Sequence, residues 1–147
     1  MKTPVYFRLE EMLKSDTALR KKIANIPSWQ VINNLNDLAV NLLDPLREAW
    51  QSGIGVSSGF RNLQLNNAVK GVAGSEHTYG CACDIYPVNG KFNEFVEFLK
   101  KWLPKFEGGW DKAIIETSKS TGGRWVHIVW KSHKGEQRRK LFNMLAD

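Results

Sequence analysis

The sequence predicts an α+β domain in which helices pack on an antiparallel sheet. Apolar residues recur at helical spacing over most of the first half of the chain, whereas most of the short apolar runs bounded by glycine, proline or polar residues come later. Helices do not alternate regularly with these runs, so a parallel βαβ architecture is not indicated. With 42% hydrophobic and 24% charged residues, the 147-residue chain is expected to form one domain, residues 1–147.

Helices are predicted where apolar residues lie three and four positions apart. Ser28 is suited to cap the longest helix, and Pro45 is expected to open a further helical stretch that stops at Gly53. A last helix is expected to close the domain at the C-terminus. The predicted helical segments are 9–13, 31–42, 45–50, 63–69, 92–103 and 137–145.

Strands are predicted where short runs are rich in β-branched and aromatic residues. A glycine follows the first run, Pro87 stops the second, and a loop rich in Ser, Thr and Gly separates the last two. The predicted strands are 54–58, 82–86, 112–116 and 125–130.

The chain is basic, with a formal net charge of +6. This charge favours an anionic partner such as an acidic polymer or cell envelope, or it forms a solubilising face. Nucleic-acid binding is not expected, because none of the usual recognition motifs occurs. No apolar run approaches 18 residues, so stable membrane association is not expected. The N-terminus has no apolar signal core, so we expect synthesis in the cytoplasm. We also expect a monomer.

Three histidines are present: His77, His127 and His133. His77 lies in a glycine-flanked segment, and His127 lies within an apolar strand, where a polar ring needs a partner. Asp84 begins an apolar strand, where a carboxylate is costly unless it is paired or bound to a cation. Two imidazoles and one carboxylate form a familiar catalytic zinc site with an open fourth position. The alternative is a hydrogen-bonded core histidine and an ion-paired aspartate. His133, among lysines, is expected at the surface.

Cys81 and Cys83 are the only cysteines, and they are one residue apart. They cannot cross-link distant parts of the fold, and a lone CxC lacks the second pair of ligands that a structural zinc site requires. Burial as small apolar side chains is therefore favoured over metal ligation.

A set of motifs in fixed order resembles the M15 family of zinc D-Ala-D-Ala carboxypeptidases and related cell-wall peptidases, especially its small phage and prophage members. The resemblance covers nearly the whole chain, including the helical stretch 31–50. Its motifs are Ser58-Gly59-Phe60-Arg61, Leu65-Asn66-Asn67-Ala68-Val69, Gly71-Val72, Ser75-Glu76-His77, Gly80, Ala82, Asp84-Ile85 and Trp125-Val126-His127-Ile128.

The resemblance implies one Zn²⁺ held by His77, Asp84 and His127, in the fold shared with the Hedgehog signalling domain. It also implies that Arg61 lies near the substrate, where a guanidinium can hold a peptide carboxylate or a developing oxyanion. Ser75 either hydrogen-bonds a ligand group or caps the turn before His77. Tyr79 either lines the cleft or packs over its own loop.

The general base is less clearly marked in the sequence. Many family members have an acidic residue three positions before the second histidine, but here that position is Arg124. Glu116, at the end of the preceding apolar strand, reaches the site if that strand pairs with the strand of His127. Asp111, at the start of the same strand, is the second candidate, and a solvated carboxylate at the strand end is the alternative for Glu116.

The expected function is zinc-dependent hydrolysis of amide bonds in peptidoglycan stem peptides, by a carboxypeptidase or an endopeptidase. Without a signal peptide, the chain fits a phage endolysin that reaches the wall through a separate pore, or a cytoplasmic dipeptidase acting on released fragments. The alternative is a non-catalytic zinc or wall-binding module, which the residue at position 124 favours.

Overall fold

Helices dominate the first half of the computed structural model, and a five-stranded sheet occupies most of the second half; residues 2–146 are described. The α+β class is confirmed. The α-helices are α1 (Leu9–Leu13), α2 (Asp16–Lys21), α3 (Trp29–Leu38), α4 (Asp44–Trp50), α5 (Leu63–Ala68) and α6 (Phe92–Trp102). The strands are β1 (Ile54–Ser58), β2 (Ala82–Pro87), β3 (Lys112–Ser118), β4 (Arg124–Val129) and β5 (Lys140–Ala146). Two 3-10 helices cover Glu76–Tyr79 and Leu103–Lys105.

The longest helical run is continuous through Pro45, contrary to the expected break. Ser28 caps it as predicted, its hydroxyl accepting a hydrogen bond from the Val31 N–H at 3.2 Å. A π-helical segment, Ala39–Leu43, joins α3 to α4. Proline lacks an N–H and clashes with the carbonyl four residues earlier, and the wider π turn accommodates both effects. No helix in residues 2–146 is both long and apolar enough to cross a membrane.

The strand order is β1-β2-β4-β3-β5. The first four strands pair antiparallel, as predicted, but β5 pairs parallel with β3. The sheet is therefore mixed, and the expectation of a wholly antiparallel sheet is wrong.

The predicted C-terminal helix 137–145 is also wrong, because this segment forms the edge strand β5. Contacts with the start of β3 determine its course: Arg138 forms an ion pair with Asp111, and the Lys140 N–H donates to the Asp111 carbonyl at 2.9 Å. Since β5 begins beside the first residue of β3, it can continue only in the same direction. Pairing with β5 satisfies the backbone N–H and C=O groups on the outer edge of β3. A C-terminal helix would leave those groups without partners in the sheet.

One face of the sheet packs against the helices and forms the main core. Side chains alternate between faces along each strand, so every second residue of β2, β3 and β4 enters this core. The free thiol of Cys83 lies here as an apolar group, and Cys81 is also buried. The buried strand residues of this face are Cys83, Ile85, Ala113, Ile115, Val126 and Ile128, and the helices contribute Leu35, Leu38, Leu42, Leu43, Leu46, Phe95 and Leu99.

Candidate metal centre

The opposite face of the sheet carries a row of residues that crosses four strands. Ser58 pairs with Asp84, Asp84 pairs with His127, and His127 pairs with Ile114. Residues directly opposite each other project to the same face of a sheet. An irregularity in β1 between Val56 and Ser58 shifts the register by one residue, which brings Ser58 opposite Asp84. The register alone therefore brings two of the predicted metal ligands together.

His77 reaches this row from the 3-10 helix that precedes β2. The Ser75 hydroxyl caps that helix by accepting the His77 N–H at 3.2 Å, which is one of the two roles considered for Ser75. Gly80 ends the helix at φ 73°, where a Cβ would lie 2.8 Å from the Val31 side chain, so a larger residue does not fit. The Nδ1–H of His77 donates to the Gly59 carbonyl at 2.7 Å and thereby fixes the orientation of the ring.

The three predicted ligand atoms converge in a buried triangle. His77 Nε2 lies 3.1 Å from Asp84 Oδ1, and His127 Nδ1 lies 3.2 Å from each of these two atoms. The three residues are 1%, 8% and 8% exposed. Ligand atoms of a tetrahedral zinc ion with bonds of about 2.1 Å are about 3.4 Å apart. The triangle therefore has the size that zinc requires.

With both imidazoles in the neutral form that binds a metal, this triangle contains more acceptor atoms than hydrogens. Because Nδ1 of His77 donates to Gly59, Nε2 presents a lone pair to Asp84 and His127 when the ring is in its metal-binding, neutral form. Burial raises the pKa of Asp84, but His77 and His127 outweigh that effect and lower its pKa below the ordinary value, so its oxygen is also an acceptor. His127 Nδ1 supplies at most one hydrogen to these two acceptors. A bound cation would satisfy all three atoms together.

Among residues 2–146, these three are the group of His, Cys, Asp and Glu side chains that lie close enough to hold a metal. His133 is outside the group, as predicted. Its Nδ1 contacts the Glu76 carboxylate at 2.9 Å, and its ring stacks on Tyr79 with 3.9 Å between ring centroids. One face of Tyr79 is thus covered by His133 from the loop after β4, a contact with a distant part of the chain, and the role of Tyr79 at the site stays a prediction.

Glu116 lies on the same sheet face as the metal ligands. It pairs with Trp125, and both residues are two positions along their strands from the row that contains His127. Burial and the Asp84 charge raise the pKa of Glu116, and these effects exceed the opposing influence of His127, Trp125 and Arg61. A carboxyl with a raised pKa beside a metal site suits a general base.

Arg61 follows β1 and is half-buried beside the same row. Its Nε–H donates to Asn66 Oδ1 at 3.1 Å, and Nη1 donates to the Ser58 hydroxyl at 3.3 Å. Burial lowers the pKa of Arg61, and the charges of Asp84 and Glu116 oppose that effect. The guanidinium is therefore close enough to the site to interact electrostatically with both acidic residues.

Asp111, the second candidate for the base, is engaged elsewhere. It is fully buried, and its two oxygens accept from Nε and Nη2 of Arg138, both at 2.9 Å. This bidentate ion pair attaches β5 to β3 and leaves Asp111 committed to holding the edge strand.

The basic residue at position 124 does not face the metal ligands. Arg124 is three positions before His127 in the strand, so its side chain projects to the opposite face of the sheet. There its Nη1 donates to Asn93 Oδ1 at 2.8 Å, and its guanidinium lies 4.6 Å from the centre of the Phe92 ring. Position 124 therefore belongs to the α6 side of the sheet.

A family model described as Peptidase M15 matches residues 5–120. The chain belongs to peptidase family M15. The match includes Arg61, His77, Asp84 and Glu116 and ends before His127, which the sheet register joins to the site. M15 peptidases are zinc enzymes, in agreement with the His-Asp-His cluster. No curated protein matches the chain.

Sequence reasoning misses two parts of this M15 site. The Gly59 carbonyl that orients His77 is a backbone group, so its role cannot be predicted from the type of residue at position 59. Glu76 is 8% exposed and accepts hydrogen bonds from the His133 backbone and ring. An acidic residue beside His77 in a glycine-flanked segment is a signal for a buried partner, but the sequence does not show that the partner lies 57 positions later.

Proposed function

We propose that this M15 protein is a zinc-dependent peptidase that hydrolyses amide bonds in peptidoglycan stem peptides. The observation that carries the proposal is the convergence of three buried ligand atoms, with Glu116 on the same face of the sheet and the Arg61 guanidinium near both acidic residues. A metal site alone fits many functions. A metal site with an adjacent carboxyl of raised pKa and a cationic hydrogen-bond donor fits amide hydrolysis.

His77, Asp84 and His127 hold the zinc ion, which when bound supplies Lewis-acid polarisation of the substrate carbonyl and lowers the pKa of a bound water to about 7. Glu116 accepts a proton from the attacking water and delivers it to the leaving amine. Asn66 and Ser58 each accept one hydrogen bond from Arg61. The remaining N–H groups of Arg61 donate to oxygen atoms of the substrate.

The nature of those oxygen atoms depends on the bond that is cleaved. In a carboxypeptidase, Arg61 binds the terminal carboxylate of a D-Ala-D-Ala peptide, and in an endopeptidase it stabilises the developing oxyanion. The net charge of +6 supports a cell-wall substrate, because the wall is an anionic polymer.

The competing function, a non-catalytic zinc or wall-binding module, loses its main support. That support was the absence of an acidic residue at position 124. Arg124 contacts Asn93 and Phe92 on α6, so this position bears on helix packing rather than on the metal ligands. Glu116 supplies a carboxyl on the face where a base is needed.

Purified protein loaded with one equivalent of zinc, and the same protein stripped with a chelator, are incubated with peptidoglycan and with two synthetic stem peptides. One peptide ends in free D-Ala-D-Ala, and the other is amidated at its C-terminus. We expect new amines that depend on zinc, with the cleaved bond identified by mass spectrometry. Glu116→Gln should lose most of this turnover, and Glu94→Gln, at an exposed glutamate of α6, is the matched control that should retain it.

Zinc binding without release of amine from any of the three substrates would reject the enzyme in favour of the binding module. Cleavage of the free peptide alone would indicate a carboxypeptidase, whereas cleavage of both peptides at an internal bond would indicate an endopeptidase.

A further inference from the structure

Arg61 is held by the protein at two of its three guanidinium nitrogens. Nε–H donates to Asn66 Oδ1, and Nη1 donates to Ser58 Oγ. The Arg61 backbone N–H also donates to the His77 carbonyl at 3.1 Å, which ties the base of this side chain to the residue carrying a metal ligand. An arginine stem has several rotatable bonds, so a guanidinium that is restrained at Nε retains much less freedom than one in solvent.

Asn66 has hydrogen-bond partners that fix its own orientation. It is 2% exposed, and its Nδ2 donates to the Val72 carbonyl at 3.0 Å. Its backbone carbonyl accepts the Gly71 N–H at 2.7 Å, and its backbone N–H donates to the Asn62 carbonyl at 2.8 Å. Because Nδ2 faces a carbonyl and Oδ1 faces the arginine N–H, a flipped amide would lose both side-chain bonds. The amide therefore presents its oxygen to Arg61 in one orientation.

Gly71 leaves the space that this amide occupies. A Cβ at position 71 would lie 2.0 Å from Asn66 Oδ1 and 2.7 Å from Asn66 Cγ. The backbone of Gly71 is outside the left-handed region, so alanine is excluded by the Asn66 side chain and not by backbone strain. The loop after α5 is thus shaped around the same amide that holds Arg61.

We propose that Asn66 is a positioning residue, which holds the Arg61 guanidinium through its Nε–H so that the remaining N–H groups face the metal centre. The proposal rests on the proposed function insofar as Arg61 contacts substrate. The restraint of Arg61 by Asn66 can be measured without any substrate.

The test compares Asn66→Ala with Asn67→Ala, an exposed asparagine of the same helix whose loss is the matched control. The first readout is the Arg61 Nε–H signal in ¹⁵N NMR, assigned by its absence in Arg61→Ala. We expect slow solvent exchange of this proton in the unmodified protein and in Asn67→Ala. In Asn66→Ala the exchange should accelerate by roughly tenfold or more, because the proton loses its acceptor.

The second readout is a double-mutant cycle in hydrolysis, measured with zinc bound in every variant. Asn66→Ala should lower kcat/KM by roughly tenfold to hundredfold, with zinc affinity unchanged. Adding it to Arg61→Ala should cause no further loss, because its effect passes through Arg61. Equal losses of kcat/KM in the presence and absence of Arg61 would contradict the proposal, and so would unchanged Nε–H exchange.

Gly71→Ala provides a second variant if Asn66→Ala does not fold. It keeps the amide but displaces it, so it should also accelerate Nε–H exchange and lower kcat/KM; a normal signal with normal turnover would reject the proposal. If the unmodified protein hydrolyses nothing, the proposed function fails, and the NMR comparison still decides whether Asn66 holds Arg61.

Discussion

Along β4, neighbouring residues have different surroundings. Val126 and Ile128 are fully buried among apolar side chains of the helices, whereas His127 projects to the other face, toward Asp84 and His77. The core face is satisfied by apolar contact alone. The site face instead buries two imidazoles and a carboxylate, whose ligand atoms lie close enough together to hold a metal ion. Because side chains alternate along the strands, residues on one face of the sheet stabilise the core and residues on the other face form the candidate metal site.

This comparison predicts the largest effects at two adjacent positions. His127→Ala removes one of three ligands, so zinc content measured by mass spectrometry should fall from one equivalent to near zero, and hydrolysis should be lost. Ile128→Ala removes a fully buried side chain, so it should retain the metal while lowering the free energy of unfolding by about 2–5 kcal/mol. His133→Ala serves as the histidine control and should keep its zinc. Zinc loss in that variant, or retention in His127→Ala, would overturn the assignment of the triad.

The next largest effect on hydrolysis is expected at Glu116. A variant at this position tests catalysis separately from metal binding. Glu116→Gln should keep one equivalent of zinc and lower kcat by roughly 10²–10⁴-fold, because the amide cannot accept the proton of water. The role of Glu116 as a base predicts a pH dependence. The residue acts in its ionised form, so in metal-loaded protein the acid limb of kcat/KM should fall as pH decreases through the Glu116 pKa and should disappear in the variant.

Unchanged turnover in Glu116→Gln would assign proton transfer to another group. Asp111 is a poor substitute, because Arg138 engages both of its oxygens. That outcome would therefore point to proton transfer that involves neither Glu116 nor Asp111.

The site could be predicted further from sequence than the fold around it. His77, Asp84 and His127 follow from residue chemistry combined with the motifs, because a buried imidazole and a buried carboxylate each require a partner. The orientation of Arg124 is not predicted, because the predicted strand begins at Trp125, whereas β4 begins at Arg124 and alternation then places Arg124 and His127 on opposite faces. The prediction stops at the Gly59 carbonyl, since a backbone acceptor leaves no trace in residue types.

The C-terminal segment is where prediction of the fold from the sequence failed. Its apolar residues, at positions 141, 142, 144 and 145, are spaced three and four apart, which fits a helix as well as an edge strand. The deciding contact is the ion pair of Arg138 with Asp111, 27 positions earlier in the chain. Pairing across such a distance is set by tertiary structure, which local periodicity does not encode.

A smaller effect is expected where this ion pair attaches β5. Burial raises the pKa of Asp111, but the hydrogen bonds and charge of Arg138 outweigh it and lower that pKa. Asp111→Asn should therefore lower the free energy of unfolding by about 1.5–3 kcal/mol at pH 7. Because the folded-state pKa lies below the unfolded value of about 3.9, this stabilisation is present above that pH and is lost as pH falls through the folded-state pKa.

Urea denaturation at pH 7 and at pH 3 checks the prediction for Asp111. The difference between the unmodified protein and Asp111→Asn should shrink at the lower pH, while the exposed Asp37→Asn should differ little at either pH. A difference that grows on acidification would have the wrong sign for a carboxylate stabilised by Arg138.

The smallest effect is expected at Ser75, which caps the 3-10 helix that carries His77. Loss of a cap costs about 1 kcal/mol, so Ser75→Ala should weaken zinc affinity by roughly fivefold, measured by competition with a chelator. Ser75→Thr keeps a hydroxyl oxygen and should bind zinc normally. At saturating zinc a cap no longer limits the enzyme, so kcat and KM of Ser75→Ala should stay within about twofold of the unmodified values. An increase in KM that persists at saturating zinc would instead assign the Ser75 hydroxyl to the substrate, because only a contact with substrate remains to be lost once the metal is fully bound.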